Sequence, residues 1–309
     1  MPDLDLLVVG DANPDLVMTG DVVPAFGQAE QVVDAARMFV GGSGAITACG
    51  AARLGLRTAF VGTVGDDAFG RFMLEALSDR SVDTSACVVT NVTPTGISVV
   101  LSRGDDRATL TSTGAMRELR ADAVDAALLA RTRHVHVSSF FLLRELADGI
   151  PELFEWAHAV GATTSIDPNW DPSGGWDGGL LALLSATDVF FPNSAEARAL
   201  TGLDDVDVAA QALAERGAIV AVKLGQGGGL AIEGDDDVRS ESIPIDVVDT
   251  TGAGDSFDAG FLAGRLAGWP LHRCLALAVA CGSLSTRAQG GTTAQPTLDD
   301  AVAALEPTA

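Results

Sequence analysis

The sequence predicts one α/β domain: a doubly wound, mostly parallel central sheet with helices on both faces and a β excursion beside it. Three observations predict this class. The chain opens on a near-continuous apolar run, Leu4 to Val9, the mark of a parallel strand buried on both sides. From about residue 118, helical and strand-like segments alternate regularly, which calls for parallel strands joined by crossover helices. The 309 residues are 47% hydrophobic and 20% charged, a composition that excludes a disordered or collagen-like chain. No linker, low-complexity tract or repeat divides the sequence, so one domain over 1–309 is expected.

The elements follow in order. After Leu4–Val9 comes a polar turn, Gly10 to Asp15, and after Gly41-Gly42-Ser43-Gly44 a small-residue helix over 45–54. Residues 58–62 read as a strand, and 67–79 as a helix with Phe69, Phe72, Met73 and Leu77 on one side. Residues 97–101 and 108–111 flank Arg103-Gly104-Asp105-Asp106, a hairpin signal that sits oddly among βα units and marks the excursion. The alternation then runs through helix 121–131, strand 134–137, helix 151–160, strand 163–166, helix 179–186, strand 188–191, helix 207–216 and strand 219–223. Strand-like runs at 229–233 and 240–248 lead to a helical region from Gly254 to about Ser285, and a last helix covers 298–305.

Charge narrows the function. The 19 Lys+Arg against 42 Asp+Glu leave a formal charge of −23, a field that repels nucleic acid and anionic membrane. No apolar run reaches the roughly 18 residues needed to span a bilayer, and Met-Pro-Asp-Leu-Asp is no signal peptide. The four cysteines form no CxxC pair and no zinc-ligand spacing with histidine, so core packing in a reducing cytoplasm is expected. His134 and His136 alternate on one strand without a third ligand and also read as packing. A small-molecule protein remains.

The stretch Asp249-Thr250-Thr251-Gly252-Ala253-Gly254-Asp255-Ser256-Phe257 carries the chemistry. A strand end runs into a Gly-Ala-Gly turn and a helix begins at once, so free amides and the helix's positive end make an anion site. Asp255 sets a carboxylate in the first helical turn beside it. A carboxylate does not help to bind a phosphate, but it can accept the proton of a hydroxyl that attacks one. The plainer reading is a capped helix behind a glycine-rich turn. Gly42-Ser43-Gly44 lacks the third glycine of a dinucleotide fingerprint and follows a poor strand, Met38–Val40, while no Gly-x4-Gly-Lys-Ser/Thr sequence exists.

These residues resemble the ribokinase-like (PfkB) carbohydrate kinases. Asp249–Phe257 is similar to their C-terminal signature. Gly41-Gly42-Ser43-Gly44-Ala45, with Ala51–Gly55 and Val61–Gly70, is similar to the N-terminal one. Asn193-Ser194-Ala195-Glu196 resembles their Asn-x-x-Glu element, and Lys223-Leu224-Gly225 with Gly227 their nucleotide loop. The resemblance implies a ribokinase-like fold whose β lid, about 12–40 with 95–113, covers the sugar and mediates a homodimer. It implies ATP with Mg2+ as co-substrate, Asp255 as base and Gly252, Ala253 and Gly254 as the anion hole. Glu196 would order hydrated Mg2+, and Asp249 and Thr251 would hold a monovalent cation, usually K+. Asn193, Lys223, Gly225, Gly227, Gly252 and Gly254 would meet the nucleotide. Asn13, Asp15, Gly41, Gly42, Ser43, Ile46 and Asn169 would line the acceptor. Lys223 is the chain's single lysine beside 18 arginines, a point charge at a strand end; as a plain structural residue it would be solvated there.

Two departures bear on the substrate. Ile46 stands where the family usually has Asn, and Asp171 where an Asp-x-Asn-x-Arg element would end in Arg. The first implies a less hydroxylated or differently turned acceptor; the second argues against an acid or phosphosugar. No asparagine marks an adenine contact, since Val279 and its neighbours stand at that place. The expected function is ATP-dependent phosphorylation of a small sugar. The alternatives are a nucleoside kinase of the same family or a catalytically silent sugar binder.

Overall fold

In the computed structural model, which describes residues 2–103, 106–176 and 178–305, Leu4–Val9 is an inner strand of a nine-stranded sheet. The order is Asp236–Ser240, Gly229–Glu233, Ile219–Lys223, Val189–Phe190, Thr163–Ile166, Thr132–Val137, Leu4–Val9, Thr58–Val61, Val82–Asp83. Every pair from Ile219–Lys223 to Val82–Asp83 is parallel, and the two strands beyond Ile219–Lys223 run antiparallel. Side chains alternate across a strand. Leu7 and Val9 therefore enter one core with Phe154 and Phe190, while Leu6 and Val8 enter the other with Phe60 and Phe261. Burial on both faces is why the opening strand reads as an unbroken apolar run.

The excursion is a second, four-stranded sheet in the order Ala35–Gly41, Asn13–Thr19, Thr95–Arg103, Asp106–Gly114. Its middle pair is parallel and its outer pairs antiparallel. The hairpin tip, Gly104-Asp105, lies outside the described residues. Strand pairing overrides local signals here. Asn13–Asp15 was expected as a turn and opens a strand, and the weak Met38–Val40 belongs to a full strand because Asn13–Thr19 pairs along all of it.

Other boundaries shift for local reasons. The helical region 254–285 is two helices, Ala253–Leu266 and Leu271–Ser285, because Gly268-Trp269-Pro270 breaks it. The strand expected at 240–248 lies at Asp236–Ser240, and 241–248 carries no element; Pro244 has no N–H to offer a ladder. The helix expected over 121–131 contracts to a 3-10 turn and Ala126–Leu129, and that over 179–186 to Leu180–Leu183 with a 3-10 turn. The four cysteines are unpaired, three of them buried, and burial pushes the Cys49, Cys87 and Cys281 thiols up to about 12. His134 and His136 bond to Thr163 and Ser165 inside the sheet, and burial pushes them down to about 3 and 4, so both are neutral.

Candidate active site

In a doubly wound sheet, ligands bind beyond the carboxyl ends of the strands where the strand order reverses. Here Leu4–Val9 and its neighbour Thr132–Val137 mark that point, followed by Asp11 and by Ser138 and Ser139. Asp11 is buried and accepts the amides of Ser43 at 3.1 Å and Gly44 at 3.0 Å, and the Ser139 hydroxyl at 2.9 Å. It thus holds the first turn of helix Ser43–Arg53 against the switch point. Ser43 in turn donates its hydroxyl to Asp255 in the first turn of Ala253–Leu266. The two helix N-termini converge on one carboxylate.

Gly252 is the N-cap of that second helix at φ 73°, a left-handed conformation that glycine adopts without steric cost. Ala253 N–H bonds the Thr250 carbonyl at 3.3 Å, and the Gly254 and Asp255 amides after it have no intrahelical partner, so the turn can receive an anion there. Ile46 is buried behind this turn, wedged between Gly252 and Gly291. Its visible role is to pack the turn. Burial, with the Asp167 carboxylate, pushes Asp255 up to about 7, the range suited to a base working near neutral pH.

Beneath the turn lies a buried ionic group that the sequence reading did not assemble. Lys223 Nζ is 2.8 Å from Asp167 and 3.3 Å from both oxygens of Asp258; both aspartates are buried and the lysine side chain is 11% exposed. Burial pushes Lys223 down, but Asp167, Asp258 and Glu196 hold its ammonium well above the usual lysine range. Burial pushes Asp258 well above the usual carboxylate range despite Lys223, and Asp167 adds to the rise. Burial also opposes ionisation of Asp167, yet Lys223 and these hydrogen bonds hold it below the usual range. Lys223 is therefore neither solvated nor turned out as a bare point charge; its stem runs under Gly254. Asp167, Asp255 and Asp258 bring carboxylate oxygens within 4.8 Å of one another. Asp258 was legible: three residues beyond Asp255, it shares that helix face.

The acceptor residues gather above Asp11. Asn13 Nδ2 donates to Ser98 at 3.0 Å and Asp15 at 3.3 Å, and Ser98 shares a hydrogen bond with Thr111. Burial, and then Asp11, push Asp15 up to about 7. The Asp15 carboxylate lies so close to Gly41 that any Cβ there would collide with it. Asn169, at φ 54°, accepts Trp170 N–H on its own Oδ1 and donates to Ser139 at 3.1 Å, while its amide bonds Asp167. Asn169 is thus both a turn residue and a neighbour of Asp11. Asp171 is buried and accepts the amides of Ser173 and Trp176, so it orders its own loop.

The Asn193–Glu196 element is a complete capping box. Glu196 accepts Asn193 N–H at 2.8 Å and Nδ2 at 2.6 Å, and Asn193 accepts the Ala195 and Glu196 amides. Burial, and then Asp167, push Glu196 up to about 7. Gly225 and Gly227 form a short 3-10 turn just past Lys223, and Val279 is buried against Gly229 beside it.

Asp249 and Thr251 do not stand open to an ion. Asp249 Oδ1 accepts the Thr251 amide and hydroxyl, its Oδ2 accepts Gly290 N–H at 2.9 Å, and Arg107 lies 3.6 Å from Oδ1. Arg107 also donates to Thr251 Oγ1 at 2.6 Å. This arginine, on Asp106–Gly114, carried no signal in the sequence.

A carboxylate beside a glycine-rich helix start, on the switch-point edge of a doubly wound sheet, is an arrangement that phosphoryl transfer to an alcohol can use. The model of the pfkB family carbohydrate kinases matches residues 3–298, and the chain belongs to that family. A ribokinase of Arabidopsis thaliana is 31% identical over 308 residues, covering 94% of this chain and 78% of its own. A nucleoside kinase of Methanothermobacter thermautotrophicus is 30% identical, covering 97% of this chain and 95% of its own. The structure of Arabidopsis thaliana ribokinase complexed with ribose and ATP superposes with a TM-score of 0.83 at 28% identity, covering 98% and 99% of the two chains. The fold is ribokinase-like. Among the described residues no helix is long and apolar enough to cross a membrane.

Proposed function

We propose that this kinase transfers the γ-phosphoryl group of ATP to a hydroxyl of a small sugar, with Asp255 as the base. The observation that carries this reading is the Asp255 carboxylate itself: raised to about 7, bonded to the Ser43 hydroxyl, and one residue from a glycine turn whose amides can receive an anion. The sugar hydroxyl gives its proton to Asp255 as it attacks, and the Gly252–Gly254 turn stabilises the charge that develops on the transferring group. Asn13 and Asp15 receive other hydroxyls, and Asn169 closes that side through Ser139. Gly225 and Gly227 border the nucleotide. Lys223 acts under the turn, neutralising Asp167, rather than on the phosphates.

Magnesium keeps most of its water and reaches protein through few carboxylates. Glu196 fits that role, because each of its oxygens accepts one hydrogen bond and retains a lone pair for a metal-bound water. The four-stranded sheet is proposed as a lid over the acceptor, excluding water from ATP. It leaves Met38 and Leu110 exposed, and a homodimer through it is part of the proposal, tested by sedimentation velocity. Unpaired thiols fit the reducing cytoplasm.

A nucleoside acceptor is the second reading, favoured by the likeness to a nucleoside kinase. A coupled ADP-release screen over ribose, ketohexoses, deoxy sugars and nucleosides separates the two. ADP release that requires one acceptor class is expected; release independent of every acceptor overturns the proposal.

A further inference from the structure

We propose that Arg107 is the built-in cation of the anion turn, a positioning residue that takes the place of a monovalent ion at Asp249 and Thr251 and couples the four-stranded sheet to the turn. The inference rests on the phosphotransfer reading above and deepens it.

Thr251 immediately precedes Gly252, so whatever fixes Thr251 fixes the first residue of the turn. Its hydroxyl donates to Asp249 Oδ1 at 2.8 Å and accepts from Arg107 at 2.6 Å. Asp249 has four acceptor positions as a carboxylate. The Thr251 amide and hydroxyl and the Gly290 amide fill three, and the guanidinium faces the same oxygen as the Thr251 pair. A second cation at these groups would meet the guanidinium at contact distance. A guanidinium supplies charge and directed donors together, which a spherical ion cannot. In a chain of net charge −23, the Arg107 guanidinium sets a positive charge beside Asp249 and Thr251.

The coupling follows from where Arg107 stands. It belongs to Asp106–Gly114, an edge strand of the four-stranded sheet, whereas Asp249 and Thr251 precede Ala253–Leu266, a helix packed in the core against the nine-stranded sheet. On the opposite edge strand, Ala35–Gly41, Phe39 lies directly on Gly290, the residue that donates to Asp249. Both edges of the small sheet thus touch the loops that set the turn. The Arg107 side chain is 43% exposed, so its contact can be released when the sheet lifts and remade when it closes. Closing over the acceptor would then complete the anion turn in the same movement.

The test exchanges K+ for tetramethylammonium at equal ionic strength in wild type, Arg107→Ala, Arg107→Lys and a control, Arg103→Ala, from the neighbouring strand. Wild type and Arg103→Ala should change kcat by less than about twofold on exchange, because the cation is already present. Arg107→Ala should lose about 10- to 100-fold in kcat in tetramethylammonium, the size of one charged hydrogen bond, and K+ should restore part of the loss. Arg107→Lys should keep more activity than Arg107→Ala in both salts. Strong K+ activation of wild type, or an Arg107→Ala enzyme indifferent to K+, overturns the proposal. Thermal melting supplies a readout without turnover: K+ should raise the melting temperature of Arg107→Ala over tetramethylammonium and leave wild type unmoved. If no form phosphorylates any acceptor, the phosphotransfer reading has failed. The melting comparison still decides the cation, and equal K+ responses of wild type and Arg107→Ala refute it.

Discussion

Asp255→Asn removes one proton acceptor while keeping the size of the side chain and a group able to accept the Ser43 hydroxyl. The wild-type carboxyl stands at about 7 because it is partly withdrawn from water and faces Asp167. It is therefore largely protonated at pH 6 and largely ionised at pH 8, with about a tenfold difference in the active form. Because kcat/KM reports the free enzyme, wild-type kcat/KM should climb about tenfold between these two pH values and then level. Asp15 and Glu196 also stand at about 7, so the acid limb can be steeper than one proton; the variant separates the contributions. Asp255→Asn should lose about 10²–10⁴-fold in kcat, the usual cost of a general base, with acceptor affinity nearly unchanged. The assay is coupled ADP release from pH 5.5 to 9 at saturating MgATP, with acceptor affinity measured by calorimetry. A variant that keeps more than about half of the wild-type turnover, or a wild-type profile flat across this range, would remove Asp255 from the role of base.

Glu196→Gln should raise the Mg2+ concentration for half-maximal rate, and should lower stability by no more than about 1 kcal/mol because Gln keeps most of the capping box; an unchanged Mg2+ titration refutes the metal role. Asp15→Asn should stabilise the unliganded protein by about 1–3 kcal/mol at pH 8 while weakening acceptor binding. The sign follows from its raised pKa: between pH 4 and 7 the folded chain holds a proton that the unfolded chain, at 3.8, has released, so stability falls as pH rises and the penalty is complete above 7. Denaturant melts at pH 5 and 8 check this, and a gain equal at both contradicts it. Ile46→Asn tests whether an apolar wall selects the acceptor: kinetics on matched hydroxy and deoxy sugars should shift toward the hydroxylated partner, whereas an apolar wall alone discriminates by about 1–3 kcal/mol. A lower melting temperature with unchanged selectivity would mean that Ile46 only packs Gly252 and Gly291.

Periodicity and sequence signatures determined the architecture of this protein. The alternation of apolar runs with helical segments required a parallel sheet. The run Asp249–Phe257 announced a helix beginning on an anion turn with a carboxylate in it, because glycine spacing and helix capping are local properties. Tertiary structure decided the rest. Asn13–Asp15 and Met38–Val40 became strands only because they pair with each other across the small sheet, a contact between segments that local propensity does not weigh. Asp11 and Asp167 joined the site through residues far along the chain, and the ionisation of Asp167 and Asp258 depends on burial that no sequence displays. Lys223 looked like a solvated or phosphate-facing charge until the fold enclosed it between two aspartates. Arg107 is 142 and 144 residues from Asp249 and Thr251, and only the placement of the small sheet brings its charge to them. Local spacing can specify an element and its caps; electrostatic partnership depends on distances that exist only after folding.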